Sequence, residues 1–93
     1  MCTTIANKVA ISGSAKGSRG WFAVDQVCVS YDHPFHIDLE HAMMLDFVDA
    51  KAGPDARVAI ELDRESARAL AAQLLAAADE ADAYEGNVTV AAS

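Results

Sequence analysis

Apolar and polar positions alternate along the first two thirds of the chain and then change period. From Thr3 to Ser12, Ile5, Val9 and Ile11 share one parity among β-branched residues, which predicts a first strand. GSAKGSRG, residues 13–20, has the composition of a turn or loop. From Trp21 to Tyr31 apolar residues fall on both parities: Trp21, Ala23, Val27, Val29 and Tyr31 against Phe22, Val24 and Cys28. That pattern predicts a central strand covered on both faces. Asp25 sits on the aromatic parity and needs a partner or an exposed edge. Residues 32–40 form a loop around Pro34, and His41 to Val48 is a third strand, again apolar on both parities. DAKAGPDA, residues 49–56, is a turn, and Arg57 to Leu62 is a fourth strand carrying Val58, Ile60 and Leu62 on one face.

After Leu62 the repeat becomes helical. Asp63 is a good N-cap, with Glu65 in the first turn where the helix dipole favours an anion. Ala67, Leu70, Ala71, Leu74, Ala78 and Ala81 recur on one stripe, so residues 64 to about 82 form an amphipathic helix ending before Gly86. Its last turn holds Asp79, Glu80 and Asp82 without a cation, against the dipole rule. Solubility or a basic partner would account for it. The expected fold is α+β: about four antiparallel strands followed by one C-terminal amphipathic helix packed on one face. Residues 1–86 make a single domain, with 87–93 a tail or a short extra strand. One helix covers one face only, so a second copy of the chain is the natural cover for the other. That predicts a homodimer or a higher oligomer.

Composition narrows the function. At 93 residues the core is modest, and much of the 53% hydrophobic content is alanine. The net charge of −7 makes nucleic acid and anionic membranes poor partners. No apolar stretch is long enough to span a bilayer, and no signal-peptide pattern opens the chain. The two cysteines, Cys2 and Cys28, lack metal or disulfide spacing. The expected compartment is therefore a reducing cytoplasm.

The acid is unevenly placed. No Lys or Arg occurs from Gly20 to Ala50, a segment that holds His33, His36 and His41 with Asp32, Asp38 and Glu40 among them. Pro34 turns His33 away from helical backbone, so His33 and His36 share no helix face. A turn could still bring them together beside His41. Three imidazoles with an open position would suit a divalent transition metal, zinc first, with iron, nickel or copper also compatible. Glu40 or Asp38 would then serve as general base in a metal-dependent hydrolase or lyase, with no substrate class indicated. Cys2 would be a further ligand or, once Met1 is removed, an N-terminal nucleophile. The plainer reading has strand-end histidines, solvated carboxylates and a non-catalytic oligomeric or accessory interaction module. The residues leave open whether the protein is an enzyme. The GSAKGSRG loop lacks the order of a phosphate-binding loop. Trp21 and Phe22 fit core anchors.

MCT at the start, GSAKGSRGWF, YDHPFH, EHAMMLDFV and RVAIELDRESARAL together resemble a family of small uncharacterised bacterial proteins, a domain of unknown function. The resemblance spans residues 1 to about 80. It implies one intact domain and carries no activity, cofactor or site.

Overall fold

The computed structural model describes residues 5–53 and 56–92, with side chains to residue 86. Its elements are β1 (Ile5–Gly17), β2 (Gly20–Asp32), β3 (Ala42–Val48), β4 (Arg57–Leu62) and α1 (Arg64–Ala92). The strands form one antiparallel sheet in the order β1-β2-β3-β4, so the fold is α+β, as the change of period predicts. No helix among the described residues is long and apolar enough to cross a membrane.

Three features differ from the sequence reading. First, GSAKGSRG is not a loop. Residues 13–17 continue β1 and pair with β2 as far as Gly17 opposite Gly20, leaving Ser18 and Arg19 as the turn. Gly20 has φ +110°, a backbone state that side chains with a Cβ resist, and this lets so tight a turn close. The register shifts between Ala10 and Gly13, a β-bulge that resets the facing of β1.

Second, the apolar surface collects on one face. Directly paired residues share a face. The register therefore aligns Val9, Val27, Phe47 and Val58, then Val29, Leu45 and Ile60, then Ile5, Tyr31, Met43 and Leu62. The opposite face mixes Val24, Ala42, Met44 and Val48 with Lys8, Gln26, Ser30, Asp46, Arg57 and Glu61. There Arg57 pairs with Asp46 across neighbouring strands, with nitrogen and oxygen 2.7 Å apart. Asp25, which called for a partner, accepts the Ala50 amide at 3.0 Å and ties down the β3–β4 turn.

Third, α1 does not lie on the sheet. Along residues 64–86 only Ala67 is half-buried, and Leu70, Leu74, Leu75 and Tyr84 are 42–69% exposed. The helix also runs through Gly86 to Ala92 instead of stopping near 82. Asp63 is the whole connection between β4 and α1. A one-residue link is too short to turn the helix back across the sheet. The stripe itself is mostly alanine, whose methyl group gives little area to bury. Asp63 instead caps the helix it launches. Its Oδ1 accepts the Ser66 amide at 2.6 Å, and this bond holds its carboxyl below the usual range.

With its helix extended, the chain has almost no interior. Among the described hydrophobic residues only Val24, Val27 and Ala42 are buried. The apolar face of the sheet stays largely half-buried, with Ile5, Val9 and Ile60 exposed.

Candidate functional site

The histidine segment is the connection between β2 and β3. Asp32 opposite Ala42 is the last pair of that ladder, so residues 33 and 41 leave the two strands side by side. The His33 and His41 rings meet there with centroids 4.6 Å apart and planes tilted by 32°. Tyr31 also stacks on His41, with centroids 5.6 Å apart.

His33 Nδ1 lies 3.0 Å from the Glu40 carbonyl oxygen. A carbonyl oxygen only accepts, so Nδ1 carries the proton and donates it. In the neutral ring that leaves Nε2 as the lone-pair nitrogen. The Asp32 carboxylate accepts the His33 amide at 2.7 Å and fixes the start of the loop.

The middle of the loop is held from another strand. Glu61 on β4 accepts three successive backbone amides: Phe35 at 2.6 Å, His36 at 3.0 Å and Ile37 at 2.9 Å. Successive N–H groups pointing to one side make a concave cradle for an anion. Here the chain's own carboxylate fills it. The Ile37 bond does most to hold the Glu61 carboxyl below its usual range, followed by Phe35. The His36 amide and the nearby His36 charge add to the effect. The Leu39 amide then donates to the Ile37 carbonyl at 2.9 Å and closes the turn.

The six residues proposed from sequence are therefore distributed. His33 and His41 are brought together, while His36 is seated at Glu61. Glu40 and His41 border a shallow hollow together with Tyr31, Asp63, Arg64 and Arg68, where α1 leaves the sheet. Asp38 is exposed on the outer turn. Cys2 lies outside the described residues. Among the described residues no group of three or more His, Cys, Asp or Glu side chains is arranged to hold a metal ion. Cys28 is a half-buried free thiol in β2, next to Gln26 on the same face.

Glu61 is the residue that sequence reasoning missed. Its one signal is its parity, a carboxylate facing opposite to Val58, Ile60 and Leu62. Nothing local says that a loop more than twenty residues upstream supplies its donors.

The chain matches no curated protein and no solved structure. A family model does match residues 1–87, nearly the whole chain, and that family is described only as one of unknown function. On that match, this chain, with its open sheet and its loop latched to Glu61, belongs to the family of unknown function DUF6295.

Proposed function

We propose that this protein is a non-catalytic, self-associating module whose working form is a homo-oligomer. The observation that carries the proposal is the surface the lone chain leaves open. Its accessible area is 7216 Å². A compact monomer of 9.8 kDa exposes about 5,200 Å². The radius of gyration, 16.4 Å, compares with about 12 Å for a compact chain of this length. The excess is roughly 2,000 Å² per chain, so two chains burying it fall within the range of obligate homodimers, roughly 2,000–5,000 Å² in total. The free Cys28 thiol suits the reducing cytoplasm expected from sequence. Sedimentation of the purified chain tests the proposal. A mass at a multiple of 9.8 kDa is expected, and a monomer at micromolar concentration overturns it.

A second reading is a divalent transition metal, zinc first, at the His33–His41 pair. Its support is the apposed rings and the Nδ1–H···O=C bond from His33 to Glu40, the bond that orients metal-ligating histidines. A metal there would activate water or polarise an oxygen. Glu40, beside His41 in the hollow, would be the base. Metal analysis of untagged protein decides this reading. Less than about a tenth of an equivalent, with melting unchanged by a chelator, rejects it.

A further inference from the structure

We infer that α1 pairs antiparallel with α1 of a second copy, about a twofold axis between Leu75 and Ala76; this rests on the self-association proposed above and specifies its surface. The helix is polarised in charge. Arg64 and Arg68 are its basic residues, near its start with Glu65 between them, and Asp79, Glu80, Asp82 and Glu85 cluster in its C-terminal half. Among the described residues the only ion pair is Arg57 with Asp46, so none of these helix charges has an ion-pair partner among them. No basic residue stands in the last turn of α1. A parallel pair would set acid against acid. An antiparallel pair sets each acidic end against the basic end of the other copy, which is the self-complementarity that a twofold interface requires.

The apolar positions fit the same register. Ala67, Leu70, Leu74, Ala77, Ala81 and Tyr84 follow heptad spacing on one seam. The large residues of that seam are exposed in the lone chain, Leu70 by 42%, Leu74 by 62% and Tyr84 by 65%. Run antiparallel, the seam sets Ala67 against the second copy's Tyr84, Leu70 against its Ala81 and Leu74 against its Ala77, and the twofold repeats each layer. Every layer joins one large and one small side chain, so the helices can approach closely without voids. In this register Arg64 comes beside the second copy's Glu85, and Arg68 beside its Asp82. Two of the four acidic residues, Asp82 and Glu85, then have cations.

Charge reversal tests the pairing on the full chain. Two variants are made, Arg64→Glu with Arg68→Glu, and Asp82→Arg with Glu85→Arg. Each alone should dissociate about tenfold or more readily than the parent, because four favourable contacts per dimer become repulsive. Mixed, the two should form a one-to-one heterodimer, since every contact regains opposite charges. Circular dichroism confirms that each variant keeps its helix, and the heterodimer itself requires both to fold. A parent that is oligomeric, with variants that associate as tightly as it does and show no preference on mixing, overturns the helix pairing and leaves self-association standing. A monomeric parent overturns both.

Discussion

Glu61 organises the candidate site from a distance. By accepting the Phe35, His36 and Ile37 amides it fixes the part of the loop that contains no regular structure, and so fixes where His33 and His41 leave it. Glu61→Ala should therefore leave the strands intact and release the loop. Hydrogen exchange at those three amides should quicken several-fold, and the contact between the His33 and His41 rings should weaken in nuclear Overhauser spectra. Unchanged exchange would mean that the loop is held by something else. The pH dependence follows from the direction of the shift. The folded Glu61 carboxyl is more acidic than the unfolded one. Its contribution is complete above the ordinary carboxylate range and is lost as pH falls through the lower folded value. The loop should open on acidification, and Glu61→Ala should abolish that acid-dependent step. Gly20 carries a different kind of constraint, because its φ of +110° comes with open space around a notional Cβ. Gly20→Ala should thus cost about 1–2 kcal/mol through backbone strain alone, read as a lower urea midpoint.

Among the elements, β3 and β4 were legible within one residue because apolar alternation and flanking turn residues agree there. β1 is not, because glycine and serine read as breakers in residues 13–17. In a two-stranded extension they pair through their backbones without needing side-chain packing. The helix start was legible from Asp63, but its end was not. Gly86 fits a C-terminal stop by sequence, yet it lies inside α1, with nothing within 4 Å of a notional Cβ. That difference can be measured. If the helix continues through residue 86, Gly86→Ala removes an entropy cost and should stabilise it by about 0.5–1 kcal/mol, with a gain in helical circular dichroism. If glycine instead ended the helix in a left-handed state, the same change would be neutral or destabilising. Of the site, the proximity of His33 and His41 followed from their places at two adjacent strand ends. The place of His36 did not, because it depends on Glu61 from a non-adjacent part of the chain.

At the scale of the whole molecule, the apolar face of the sheet and the seam of α1 are two surfaces that a single chain leaves open together. The apolar periodicity predicts that each covers the other. The one-residue link at Asp63 prevents that within a chain and leaves both available between chains. Such a protein should owe much of its stability to association, because buried Val24, Val27 and Ala42 make too small an interior to offset the entropy of ordering a chain this long. Mass action then gives a signature that a monomer lacks. If unfolding and dissociation are one step, each tenfold rise in protein concentration adds about 1.4 kcal/mol to the apparent stability of a dimer. The melting temperature should climb steadily with concentration over two or three decades. The charge-reversed helix variants should melt lower at every concentration, and their equimolar mixture should return to the parent curve. Melting independent of concentration would place the stability within the single chain, and the open sheet face would then need another explanation.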